Sequence, residues 1–201
     1  MRIISGVAKG RRLVAPDTPE TRPVTDRVRE AVLSIIGAWV EGARVVDLYA
    51  GSGSFGLEAL SRGASGATFV ENGNKALEAL RANVETVSLG GTVVTSSVGD
   101  FLRRSSGRFD LVFIDPPWDM PADDLGSDLA SLDRLLDDGA EVVLSRRHGD
   151  ETPPIPAGWR VATDRRYGDT RILRYVKKDE AKGPLHCARG ASIPPPTGMS
   201  T

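Results

Sequence analysis

Apolar positions change rhythm several times along the chain, and each rhythm predicts an element. Residues 2–5 (RIIS) and 12–14 (RLV) favour strand, with Gly6 and Gly10 as turn positions between them, predicting a short β-hairpin. Pro16, Pro19 and Pro23 then keep the chain extended, because a proline disfavours helix in the residue before it. From Thr25 the spacing becomes helical: Val28, Val32, Ile35, Ile36 and Trp39 form one apolar stripe. Thr25 suits the N-cap of that helix, and Asp26 its positive dipole end.

After Gly42 the pattern alternates. Strands are predicted over 44–49, 67–71, 92–95, 109–115 and 141–144. Helices are predicted over 55–62, stopped by Gly63, over 74–87 with Leu77, Leu80 and Val84 on one face, over 101–104, and around 125–136. Segment 109–115 (FDLVFID) is almost wholly apolar, as a strand covered on both faces should be. The rhythm calls for an α/β fold, a parallel sheet with helices on both sides. Two last strands, 159–163 and 171–176, have only seven residues between them, Gly168 included. That connection allows a hairpin but no crossover helix, so the sheet should finish with an antiparallel pair. Residues 179–201 lack periodicity and contain Pro194, Pro195 and Pro196 in a row, which reads as a disordered tail. The division is therefore an arm over 1–24, a domain over 25–178 and a tail.

Composition narrows the classes. With 201 residues, 40% of them hydrophobic, the chain has enough apolar material for one domain with a real core. A single cysteine excludes a disulfide scaffold and paired-cysteine zinc sites. Two histidines, His148 and His186, leave little for a His-rich metal site or a Ser-His-Asp triad, so no metal is expected. No apolar run approaches the roughly 20 residues of a membrane span, and MRIISGVAKGRR has no apolar core of a signal peptide. A cytoplasmic protein without a membrane partner is expected, with no sign of a state beyond monomer. The net charge of −1 conceals an asymmetry. Arg2, Lys9, Arg11 and Arg12 stand without an acid among them, and Arg22, Arg27 and Arg29 follow, while acids gather between 119 and 138.

Candidate chemistry begins at the first core strand, which leads into Asp47-Leu48-Tyr49-Ala50-Gly51-Ser52-Gly53-Ser54-Phe55-Gly56. Glycines let the backbone turn tightly and approach a ligand, and the helix that follows turns its N-terminal amides to it. Glu71 and Asn72 end the second strand; an acid there can accept from both hydroxyls of a ribose. Asp100, with Phe101 beside it, follows the third strand and can accept from an adenine amino group, or can serve simply as an N-cap. The glycines fit the dinucleotide spacing, yet Asp47 points at the same loop, where it would repel a pyrophosphate and attract an ammonium. S-adenosylmethionine carries an ammonium and a sulfonium and no phosphate, so it fits better than NAD. The candidate cofactor residues are Asp47, Ala50, Gly51, Ser52, Gly53, Glu71, Asn72, Asp100 and Phe101.

The fourth strand ends in Asp115-Pro116-Pro117-Trp118. Two prolines remove two backbone donors, leaving carbonyls and a carboxylate, all acceptors. An exocyclic amino group on a nucleobase is the complementary donor, and Trp118 can stack on an extruded base for about 1–3 kcal/mol. A rigid turn after a buried strand is the plain alternative. Carbon-5 methylation of cytosine usually needs a cysteine nucleophile. Cys187 lies in the tail, which favours a nitrogen target.

These residues resemble a known family, the bacterial 16S ribosomal RNA guanine-N2 methyltransferases of the small subunit, type D. RIISG with KGRRL, RPVTDRVREAVLSII, DLYAGSGSFGLEALSRGA, FVE, VGDF, FDLVFIDPPW and YGDTRILRY carry the likeness over most of 1–176. The cofactor segment and DPPW are common to many amino methyltransferases, whereas RPVTDRVRE with the RIISG opening is the specific part. The resemblance implies a Rossmann-like class I fold, seven-stranded and mostly parallel with its last strand antiparallel. It also implies S-adenosylmethionine as donor and a guanine 2-amino group of 16S rRNA, within the small subunit, as acceptor. Asp47, Gly51 and Gly53 would line the methionine end, Glu71 the ribose, Asp100 and Phe101 the adenine, and residues 115–118 the base. The family more often has Phe or Tyr where this chain has Trp118. Arg2, Lys9, Arg11, Arg12, Arg22, Arg27 and Arg29 then become candidates for rRNA phosphates; Thr25 and Arg27 can alternatively form the rim of the cofactor pocket. DNA amino methyltransferases share DPPW but usually carry a larger recognition domain. A non-catalytic rRNA-binding assembly factor is the other alternative.

Overall fold

Six strands run one way and one runs against them. The computed structural model describes residues 1–16 and 26–178. Arg22, the Thr25 cap, Pro19, Pro23 and the tail with His186 and Cys187 lie outside the described residues. Helix α1 (Asp26–Ile36) leads into a 3-10 turn over Gly37–Val40. Then come β1 (Arg44–Leu48), α2 (Ser54–Ser61), β2 (Gly66–Glu71), α3 (Asn74–Val87), β3 (Thr92–Thr95), α4 (Val98–Arg104), β4 (Phe109–Ile114) and α5 (Ala122–Leu132). Three long strands follow, β5 (Leu136–Arg147), β6 (Trp159–Tyr167) and β7 (Thr170–Lys177). The sheet order is β3-β2-β1-β4-β5-β7-β6. β7 is antiparallel to both neighbours and the other pairings are parallel. The antiparallel ending expected from the short last connection is therefore present, with β7 inserted between β5 and the edge strand β6.

Two hydrophobic clusters cover the two faces of the sheet. One joins α1, α2 and α3 to Val45, Phe69, Leu111, Phe113 and Val143. The other joins α4 and α5 to Val46, Val70, Val112, Leu144 and Tyr175. Alternate residues along β1 and β4 serve opposite clusters, as strands covered on both sides must.

Several boundaries differ from the sequence expectation. α4 begins at Val98 and α5 stops at Leu132, so β5 begins at Leu136; at its other end Ser145, Arg146 and Arg147 continue its ladder with β7, which brings it to 12 residues, and their polarity hid them. β6 likewise runs to Tyr167, leaving a two-residue turn at Gly168 and Asp169. Trp39 leaves the predicted stripe: α1 stops at Ile36, Gly37 adopts φ +59°, and the new phase buries Val40 while Trp39 is 62% exposed.

The N-terminal hairpin exists in reduced form. One antiparallel bridge joins Arg2 to Arg12, and turns fill the space between. Tertiary bonds replace the missing ladder. Buried Glu58 on α2 accepts from the amides of Ile4 (2.7 Å) and Ser5 (2.9 Å). Ser61 accepts from the Ala8 amide and donates to the Ser5 carbonyl. Asn83 on α3 pairs with both backbone groups of Val14 (2.7 and 2.9 Å) and also donates to the Ser52 carbonyl (2.9 Å). Ile3, Ala8 and Leu13 enter the core.

Gly6 makes this docking possible. Its φ is +81°, and a Cβ there would stand 1.7 Å from the Ser61 carbonyl oxygen. Gly10 has a similar φ, +88°, but open space around it. Gly10→Ala should therefore cost only the left-handed strain of about 1–2 kcal/mol. Gly6→Ala should cost clearly more, because backbone must separate from backbone. Urea unfolding of the two variants checks the difference, and equal losses would contradict the described docking.

Candidate active site

β1 ends where Tyr49 takes a left-handed conformation, φ +58°. A bulky residue held there stores about 1–3 kcal/mol of strain. The surroundings hold it: its hydroxyl donates to Asp128 Oδ2 on α5 at 2.6 Å and lies 3.4 Å from the Met120 sulfur. Burial and the Asp128 charge both push the Tyr49 phenol up, so it stays protonated as the donor. Asp128 is itself raised by burial, against the lowering effect of the Tyr49 hydroxyl.

The turn that follows separates the glycines by task. Gly51 has φ +55° and open space where a Cβ would be, so the backbone is bare there. A Cβ on Gly53 would meet Leu80 at 2.5 Å, and one on Gly56 would meet the Phe69 ring at 2.4 Å. Those two glycines let α2 lie against β2. Sequence spacing treats Gly51 and Gly53 alike, whereas the structure gives Gly53 a packing task. Ala50 and Ser52 are buried; the Ala50 amide bonds to Val70, and the Ser52 carbonyl is the one Asn83 holds. Phe55 stacks on Phe113 at 5.0 Å, fixing α2 over β4.

Three carboxylates meet at this sheet edge, each held by neutral donors. Buried Asp47 accepts from the Gly56 amide at 2.9 Å. Glu71 accepts from the amides of Gly51, Asn72 and Gly73 at 2.7–2.8 Å. Asp115, just past β4, accepts from the Ser145 hydroxyl. Burial pushes Asp47 well above the ordinary carboxylate range, and the charges of Asp115 and Glu71 push it further. Burial lifts Asp115 to about 6, against the Ser145 hydroxyl. None of the three forms an ion pair with a cation among the described residues.

Beside them lies a cavity of about 300 Å³. Tyr49, Glu71 and Asn72 form one wall, Ser97 to Gly99 a second, and Met120 and Asp128 a third. Asp100 and Phe101 stand in the first turns of α4, directly after that second wall. Ser97 is the N-cap of α4, and Asp100 is its third residue, bonded to the Ser97 hydroxyl at 2.7 Å and to Arg103 at 2.5 Å. These bonds draw Asp100 below its ordinary range, the Ser97 hydroxyl first. Asp100 is thus neither an N-cap nor among the cavity-lining residues; Val98 and Gly99 line the cavity instead. Phe101 is half-buried and packs against Phe109.

In the tetrapeptide, Pro116 is buried, Pro117 exposed and Trp118 half-exposed. The Pro117 carbonyl accepts the Met120 amide, so Asp115 and the Pro116 carbonyl are the acceptors left over. Buried Arg146 donates to the Met120 carbonyl at 3.0 Å and steadies this loop.

Of the candidate phosphate contacts, Arg2, Lys9, Arg12 and Arg27 are exposed. Arg11 is exposed too, but it caps the end of α3 through the carbonyls of Thr86 and Val87. Arg29 is a correction. It is fully buried and donates to the Arg2 carbonyl at 2.5 Å, so it holds the arm rather than meeting a phosphate. Its place on the inner face of α1, between Val28 and Val32, was the available signal.

The sheet order and the turn after β1 define a class I methyltransferase fold. The chain belongs to the family described as conserved hypothetical protein 95, whose model matches residues 1–176. It is 34% identical to ribosomal RNA small subunit methyltransferase D of Escherichia coli strain K12, over 91% of this chain and 92% of that protein. It is 33% identical to the putative rRNA methyltransferase YlbH of Bacillus subtilis strain 168, over 89% of this chain and all of that one. Among solved structures, the putative methyltransferase yhhF from Escherichia coli superposes with a TM-score of 0.80 at 32% identity, covering 90% of this chain and 99% of that one.

The Ser145 hydroxyl favours the ionised form of Asp115. Ser145→Ala should therefore move the Asp115 titration, followed by carboxyl NMR, upward from about 6. Tyr49→Phe should raise Asp128 by the same logic and leave Asp115 alone.

Proposed function

We propose that this chain transfers a methyl group from S-adenosylmethionine to the exocyclic 2-amino group of a guanine in 16S rRNA of the small ribosomal subunit. The observation that carries the reading is the set of three carboxylates without a cationic partner among the described residues, one of which opens a tetrapeptide whose two prolines have no backbone donor.

The donor set fits the cofactor. When bound, S-adenosylmethionine supplies an electrophilic methyl on sulfur together with an ammonium and a ribose diol. Asp47 and the uncompensated charge around it suit the ammonium, and the bare backbone at Gly51 allows close approach. Glu71 spends three acceptor positions on amides, and a carboxylate has about four, so one stays available to a ribose hydroxyl. The cavity walls at Val98 and Gly99 suit the adenine, while Asp100 acts by fixing the start of α4.

Asp115 and the Pro116 carbonyl accept from the two protons of an amino group, which turns its lone pair out of the base plane. Trp118 offers the stacking face that helps offset the cost of extruding the base. Holding two reactants in line supplies most of the acceleration, with no covalent step. A carboxyl with a midpoint of about 6 is ionised at neutral pH, and Asp115 is placed to take the proton that the nitrogen sheds. Arg2, Lys9 and Arg12 on the arm and Arg27 on α1 hold rRNA phosphates, and Arg11 and Arg29 position the arm.

Labelled S-adenosylmethionine offered with 16S rRNA, small subunits or duplex DNA tests the substrate, and mass mapping of nucleosides tests the atom. Label in N2-methylguanosine of rRNA is expected. Label only in DNA, or in none of the three, would overturn the reading in favour of a DNA enzyme or an assembly factor. Methyl transfer should fall as pH drops through about 6, as Asp115 gains a proton. Asp115→Asn should lower kcat by about 10²–10³-fold at neutral pH, with S-adenosylmethionine affinity retained in equilibrium binding.

A further inference from the structure

Cations gather a second time at the far side of the sheet, where β5, β7 and β6 meet. Ser145, Ile172 and Arg165 stand in one cross-strand row, and Arg147, Thr170 and Tyr167 in the row two residues further on. Paired residues in register share a face, and residues two apart on a strand do too. Arg147 and Arg165 therefore lie on the face of Ser145, whose hydroxyl bonds to Asp115. It is also the face of the arm: Ile172 and Tyr167 pack with the cluster that holds Ile3 and Leu13.

The cations on the opposite face of the same corner are engaged, two of them by carboxylates. Arg171 pairs with Asp164 at 2.7 Å, Arg146 pairs with Asp150 at 3.5 Å, and Arg166 donates to the Gly168 carbonyl. Arg147 and Arg165 are exposed and form no ion pair among the described residues. Two strand spacings separate the Ser145 and Arg165 positions, about 10 Å, within reach of one nucleotide beside the acceptor site.

Their placement is opposite to that of the arm. The arm is bonded to α2 and α3, above β1 and β2, whereas this corner lies beyond β4 in the other direction. Asp115 stands between. A base drawn out of its stack between two fixed points needs its backbone held on both sides, and one basic arm secures a single side.

We propose that Arg147 and Arg165 form a second phosphate-binding site, which holds the RNA backbone on the β5–β6 side of Asp115 while the arm holds the other. The site rests on the rRNA reading above and gives the arm's counterpart a location. His148, exposed beside Arg147 with its amide bonded to the Asp169 carbonyl at 2.6 Å, completes the rim of the corner.

The test is binding of a 16S rRNA transcript across a salt series, with the double variant Arg147→Glu, Arg165→Glu. Affinity should fall at least tenfold at low salt. The slope of log affinity against log salt should shrink by about 1.4, as expected for two lost single-strand phosphate contacts. KM for RNA should rise while S-adenosylmethionine binding and the thermal midpoint stay put. Arg160→Glu is the control for each single variant, Arg147→Glu or Arg165→Glu: the same change of two charges, on the same edge strand as Arg165 but at its other end and also exposed. It should behave as wild type. Wild-type affinity and slope in the double variant, while Arg2→Glu, Arg12→Glu loses binding, would overturn the second site alone. An equal loss in Arg160→Glu would overturn it as well, as an effect of net charge. If the unaltered protein neither binds nor methylates the transcript, the rRNA reading itself fails and the site falls with it.

Discussion

Six strands running in one direction deliver their C-terminal ends to a single edge, and the loops that leave that edge must share its space. Here three strands bring a carboxylate to that edge, Asp47 near the end of β1, Glu71 as the last residue of β2 and Asp115 just past β4. Among the described residues their mutual repulsion is held in check by neutral donors, the Gly56 amide, three amides around Glu71 and the Ser145 hydroxyl. Neutral donors fix the position of a carboxylate while leaving its charge largely uncancelled. An arginine at the same place would have fixed the position and removed the charge. The edge is therefore organised and still electronegative, which is the condition for recognising a cationic ligand.

The arm belongs to the same construction. Glu58 and Ser61 on α2, Asn83 on α3 and Arg29 on α1 each bond to its backbone, so its attachment does not depend on strand pairing. Asn83 is the central joint, since one side chain reaches both Val14 and the Ser52 carbonyl of the glycine turn. The basic side chains are thereby carried on a backbone fixed relative to the cavity. Two arginines expected to face RNA serve instead to build that frame, Arg29 wholly and Arg11 in part.

Much of this was legible in residue order. The alternation of strand and helix, the antiparallel ending and the acids at the ends of β1, β2 and β4 follow from periodicity and from where each strand stops. What stayed hidden depends on distances across the chain. The Tyr49–Asp128 bond joins positions 79 apart, and nothing local marks Asp128 among its acidic neighbours. Gly53 and Gly56 look like ligand-facing glycines until Phe69 and Leu80 are seen against them. Asp100 looks like a free acid until Ser97 and Arg103 claim it. The C-terminal end of β5 was hidden because Ser145 and Arg146 are polar yet buried, satisfied by partners that sequence does not reveal.

The docking of the arm also has a consequence for synthesis. Apart from the Arg29 bond, 27 positions on, its bonds reach residues 53 to 76 positions further along the chain. Most of the arm's bonds therefore cannot form until α2 and α3, made after it, have emerged, several seconds later at about 5–20 residues per second. Ile3 and Leu13 wait uncovered during that interval, among four nearby cations that discourage self-association. The charge that suits the arm for a polyanion in the finished protein also keeps it soluble while it is still being made.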